Sequence, residues 1–155
     1  MNICIKTHAL QGQKQTHSLL LQDRLPSHII GPCDMTCDFY VTKMDEDYLL
    51  TLELHGEMTI ICQRCLNEFQ HAYDHHTQLA ICFSEANALS HMKHYECIVT
   101  DSFEVSLTNI VIDDLFLYSP EKHENSMDCT SEMCRFIGGQ DEILSPILGL
   151  KTKTR

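Results

Sequence analysis

From Asp38 to Thr100 the apolar residues of this chain arrive in short, strand-like runs. From Leu107 to Tyr118 they recur every three or four positions. A side-chain period of two belongs to a pleated strand and one near 3.6 to a helix, so this switch predicts a sheet followed by one principal helix. Asp38–Lys43 alternates, Tyr48–Leu54 is rich in strand formers, and Asp45-Glu46-Asp47 between them reads as a polar turn. A third run, Glu57–Cys62, follows His55-Gly56. Gln70–Phe83 is a long candidate strand whose apolar end is Leu79–Phe83, and Tyr95–Thr100 a fifth, reached through the polar connection 85–94. The short connections favour antiparallel pairing.

Over residues 106–118, Ser106 is a fitting N-cap and Pro120 a natural stop. Leu107, Ile110, Val111, Leu115 and Tyr118 share one face and Ile112 and Phe116 an adjacent stripe, while Asp113 and Asp114 are expected on the polar side. Residues 121–141 read as a polar loop, with a turn at Gly138-Gly139. Residues 143–150 read as a short helical turn starting at Ser145-Pro146, and 151–155 as a short basic tail. The expectation is an α+β fold built on a mainly antiparallel sheet or partly open barrel. At 155 residues with no dividing linker, the chain reads as a single domain over 1–155.

Charge narrows the function classes. The formal net charge is −11 and is concentrated: residues 44–142 hold nineteen acidic against four basic side chains. Nucleic-acid affinity comes mostly from cationic side chains on phosphates, so a general nucleic-acid binder is disfavoured. No run approaches the length of a membrane-spanning helix, and the first twenty residues lack the apolar stretch of a secretory signal, so a cytoplasmic setting is expected. The familiar catalytic motifs are missing as well, among them a glycine-rich phosphate loop, G-x-S-x-G and H-E-x-x-H. Asp113 and Asp114, adjacent on a helix, point about 100° apart and do not converge on one substrate atom. These readings favour a protein that is not an enzyme and takes no small-molecule substrate.

Nine cysteines remain to be explained. An odd number without an export signal argues for thiols or metal rather than a disulfide framework. Cys4, Cys82 and Cys97 lie singly among apolar neighbours and read as small buried side chains. Three close pairs remain: Cys33–Cys37, Cys62–Cys65 and Cys129–Cys134. The C-x-x-C turn Cys62-Gln63-Arg64-Cys65 aims two sulfurs at one point. That suits a zinc half-site, a redox dithiol or a plain structural pair. Cys129 and Cys134 have a spacing that closes around the same ion, with His123 as a substitute for one of them, so one zinc ion is a candidate cofactor. His71, His75 and His76 form a second, looser candidate ligand group.

Three segments resemble one known family. Glu57–Phe69 (EMTIICQRCLNEF) with Ile81-Cys82-Phe83-Ser84, Val105–Pro120 (VSLTNIVIDDLFLYSP) and Ser145–Lys151 (SPILGLK) are together similar to the YceD family, the large-subunit ribosomal RNA accumulation proteins. The resemblance implies a non-enzymatic bacterial factor in the synthesis, processing or stability of large-subunit (23S) ribosomal RNA, hence in ribosome biogenesis. Set beside the charge, it leads to the expectation that the acidic surface docks a basic ribosomal protein or large-subunit assembly factor. Arg64, Asp113 and Asp114 are the candidate contacts, and the basic tail is left for a minor RNA contact. The alternative is a zinc-binding or thiol-redox protein acting in RNA metabolism.

Overall fold

The computed structural model describes residues 1–129. Its elements, in chain order, are β1 (Asn2–Cys4), α1 (Ile5–Gln11), β2 (Gln15–Leu21), β3 (Ile29–Ile30), β4 (Cys33–Met44), β5 (Asp47–Ile61), β6 (Glu68–Cys82), α2 (Glu85–His91), β7 (Glu96–Val99), β8 (Glu104–Ser106) and α3 (Leu107–Tyr118), followed by a 3-10 turn at Ser126–Asp128. The main sheet runs β2-β4-β5-β6-β7, with β3 pairing β5 beyond the end of β4. All its pairings are antiparallel except β6–β7, where α2 makes the crossover a parallel ladder requires. A two-stranded ribbon, β1–β8, completes the α+β architecture. β2 and β7 are the two edges, so the sheet is open and the barrel alternative falls away. No helix among the described residues is long and apolar enough to cross a membrane.

The core face of the sheet follows from strict alternation. Cys33, Met35, Cys37, Phe39 and Val41 of β4 are buried, and so are Tyr48, Leu50, Leu52, Leu54, Met58 and Ile60 of β5. Cys33 and Cys37 are four residues apart on one strand and share this face as packing side chains. Each fully buried large aliphatic or aromatic side chain contributes about 1.5–3 kcal/mol relative to exposure, so this double row dominates the stability of the sheet.

His55-Gly56 separates two strand runs in the sequence but interrupts nothing in the fold. Gly56 faces Met35 across the ladder, and a Cβ there would lie 2.4 Å from the Met35 sulfur and 2.8 Å from the Asp34 carbonyl oxygen. The residue is a point of close backbone approach within one 15-residue strand.

Helix α3 lies where the period change predicts. Ser106 Oγ accepts from the Asn109 N–H, and the extended Ser119 leads into Pro120. Leu107, Ile110, Val111, Ile112 and Leu115 are buried, and the helix packs on β1 and β2. The terminal turn expected at 143–150, the basic tail 151–155 and most of the loop 121–141 lie outside the described residues.

Candidate functional site

Two sets of polar side chains stand out, one at the β5–β6 turn and one under α3. β5 ends at Ile61, and Cys62-Gln63-Arg64-Cys65 turns back toward β6. The Leu66 N–H closes this turn on the Cys62 carbonyl at 2.8 Å, and Leu66 itself adopts a left-handed φ of 63°. That conformation is uncommon for a residue with a Cβ, and here it reverses the chain within a few residues while both sulfurs stay inside. Cys62 and Cys65 are buried.

The segment after α3 folds over this turn. The Gln63 N–H donates to the Glu121 carbonyl at 2.8 Å, and Arg64 Nη2 donates to the His123 carbonyl at 3.1 Å. His123 packs on the Phe69 ring with centroids 4.4 Å apart, and its Nδ1 lies 3.7 Å from Cys65 Sγ and 3.4 Å from Cys129 Sγ. Cys62 Sγ and Cys129 Sγ are 3.9 Å apart. The four ligand-type atoms of Cys62, Cys65, His123 and Cys129 all lie within 4.8 Å of one another. A disulfide sulfur pair sits near 2.05 Å, so Cys62 and Cys129 are separate thiols. Burial raises the Cys62 thiol, but the backbone amides of Cys65, His123 and Arg64 and the Cys65 side chain outweigh it and bring it down to about 5.

Of the four cysteines expected to act together, three are brought together. Cys134 lies outside the described residues, and His123, the expected substitute, stands beside the three. Arg64, expected to meet a partner, is half-buried and donates to the His123 segment.

Asp113 and Asp114 part company. Asp113 is exposed as expected, its carboxylate 66% accessible with Arg24 Nη2 at 3.8 Å. Asp114 does not emerge on the polar side and is buried at 5% exposure. Tyr73 donates its hydroxyl to Asp114 Oδ2 at 2.6 Å, and His75 Nδ1 lies 3.0 Å from the same oxygen. Burial raises the Asp114 carboxyl above its ordinary value of 3.8, with Tyr73 and His75 opposing that shift. Burial and the adjacent Asp114 in turn push the Tyr73 hydroxyl upward. The His75 ring packs on Tyr118 at 4.2 Å, and Tyr118 donates to Glu96. His75 is thus engaged with α3, while His76, the next residue on a strand, faces the other side of the sheet; the three histidines do not converge.

Between α3 and β7 runs a cleft of about 180 Å³ lined by Leu79, Glu96, Cys97, Ile98, Ile110, Asp113, Asp114 and Leu117. Sequence reasoning picked out both aspartates but missed Glu96, because nothing in a four-residue strand announces that it will lie beside the helix.

A family model described as "Large ribosomal RNA subunit accumulation protein YceD" matches residues 50–143, which takes in most of β5, all of β6, the thiol turn, α3 and Cys129. Neither the curated proteins nor the solved structures contain a match.

Proposed function

The chain belongs to the YceD family, and from that membership we propose that it acts in the accumulation of large-subunit ribosomal RNA, as a binding factor rather than an enzyme, by docking a basic ribosomal protein or assembly factor. The observation that carries the docking reading is the α3–β7 cleft. Leu79, Ile98, Ile110 and Leu117 offer an apolar floor and Glu96 and Asp113 a carboxylate rim; among the described residues no lysine or arginine lines it, and Arg24 Nη2 stands 3.8 Å from Asp113. A lysine or arginine side chain has the complementary build, an aliphatic stem that buries on apolar surface and a cationic head that stays at the rim. The surplus of acids over residues 44–142 adds long-range attraction for a cationic polypeptide and repulsion for RNA phosphates.

Two measurements test this. In cells depleted of the protein, the ratio of large- to small-subunit ribosomal RNA is expected to fall; an unchanged ratio overturns the ribosomal role. A tagged chain is expected to retain a basic protein partner at about 0.05 M salt and to release most of it at about 0.5 M, where the screening length shrinks several-fold. Replacing Asp113 and Glu96 by lysine is expected to abolish that retention. Capture of bare RNA with no protein partner overturns the docking reading and leaves the ribosomal one standing.

A further inference from the structure

We propose that Cys62, Cys65, His123 and Cys129 form a tetrahedral zinc centre that clamps the β5–β6 turn to the segment following α3. The argument starts from donor spacing. A zinc ion with sulfur at about 2.3 Å and nitrogen at about 2.0–2.1 Å has tetrahedral edges of about 3.8 Å between sulfurs and about 3.6 Å between sulfur and nitrogen. The observed edges are 3.9 Å for Cys62–Cys129, 3.7 Å for Cys65–His123 and 3.4 Å for Cys129–His123. With three sulfurs and one imidazole the set is soft, suited to zinc and unsuited to magnesium or calcium, which prefer oxygen.

The surroundings hold the donors in place without the ion. Gln63 and Arg64 each hydrogen-bond the 121–123 backbone, and Phe69 flanks the His123 ring. Such outer contacts orient ligands and raise affinity. All four positions are filled by protein, which is the pattern of a structural ion; a catalytic zinc keeps one position for water or substrate. The donors come from chain segments nearly sixty residues apart, as the Cys65–His123 contact spans 58 positions. The ion therefore reinforces the Gln63–Glu121 and Arg64–His123 hydrogen bonds that already join the turn to the segment after α3. This assignment is independent of the docking reading: a metal-free protein would sink it and leave the cleft untouched, and a partnerless protein would do the reverse.

The test uses the full chain, purified without added metal. Elemental analysis is expected to find one zinc per chain. Cobalt substitution is expected to give tetrahedral ligand-field bands with the charge-transfer intensity of three thiolates. His123→Cys is expected to keep the metal and raise that intensity toward four thiolates, His123→Ala to weaken binding by tenfold or more, and Cys134→Ser to change neither. Because Cys62→Ser risks unfolding the chain, the folded His123→Cys protein serves as the control. Less than about a fifth of an equivalent of metal in freshly purified, reduced protein would overturn the assignment. So would loss of the ion in Cys134→Ser with retention in His123→Ala, or a reversible Cys62–Cys65 disulfide in protein that takes up no zinc or cobalt.

Discussion

The two ends of the β5–β6 hairpin carry similar side chains and treat them in opposite ways. Each strand has 15 residues, so the ends lie roughly 50 Å apart at about 3.3 Å per residue. At the turn end, Cys62, Cys65, His123 and Cys129 point their donor atoms at one another. At the open end, Asp47, Cys82 and His91 also bring donor atoms within 4.8 Å. There, however, the protein already answers the carboxylate: Asp47 accepts from the Phe83 N–H at 3.1 Å and from Asn87 Nδ2 at 3.3 Å, with His91 Nε2 at 3.2 Å. Through these contacts the buried Asp47 fastens α2 to the sheet. Metal-ligand residue types in a cluster therefore say little until their existing partners are counted. Three thiols and an imidazole gathered within 4.8 Å suit an ion, whereas a carboxylate that collects backbone and side-chain donors has its role already.

This contrast can be broken most decisively at the turn end. Stripping the proposed ion with a strong chelator is expected to cost several kcal/mol, lowering the melting temperature by more than about 5 °C, since structural zinc binding is itself folding free energy. A chelator without effect on the thermal transition would erase the difference between the ends. Next in size, Asp47→Ala leaves the Phe83 amide and Asn87 without an acceptor in a buried place. It should cost about 2–4 kcal/mol in denaturant unfolding with metal content unchanged; a loss of metal instead would mean that the open end holds an ion too.

Smaller effects sharpen the comparison with the buried pair under α3. Tyr73→Phe should destabilise by about 1–3 kcal/mol, because Asp114 loses a close donor where water does not replace it. The pH dependence has a definite sign. The folded Asp114 carboxyl sits above 3.8, so the folded state holds this proton more tightly than the unfolded chain. Its contribution to stability is complete below the ordinary carboxylate value and is lost as pH rises through the raised one. Asp114→Asn is expected to remove that loss, so its urea midpoint relative to the parent should climb with pH over this window; a constant difference would show that the site does not titrate with folding. Smallest of all, thiol alkylation should rank the cysteines. Cys4, lowered by its hydrogen bond from Thr7, should react early. Cys37, pushed up to about 12 by burial and then by Asp38 and Asp114, should react only on unfolding, and mass spectrometry of timed samples gives the order.

Much of this was legible in the residues, and the misses have physical causes. The period change located α3 to within a residue, and Ser106 and Pro120 marked its ends. The C-x-x-C turn and His123 were visible as ligand candidates because their chemistry is local. The N-terminal elements β1, α1, β2 and β3 were not anticipated: Gln15, His17 and Ser18 dilute the alternation of β2, and β1 and β3 are too short to show a period. Strand β7 lies within the expected Tyr95–Thr100, but its parallel pairing escaped, since a crossover through the seven-residue α2 looks like a polar connection. Asp114 was misjudged although a signal was present. It lies seven residues after Leu107 and three after Val111, on the buried stripe, and a carboxylate at such a position calls for a donor across the interface, which Tyr73 provides.

The central strand has a last consequence, for exchange with solvent deuterium. β5 is bonded along one side by β4 and β3 and along the other by β6, so nearly every amide on it is shielded from both flanks. Fraying of β2 or β7 peels only the margins of the sheet. The β5 amides should therefore exchange last, at the rate of whole-molecule opening, and provide an internal clock against which loosening at either extremity of the hairpin can be timed.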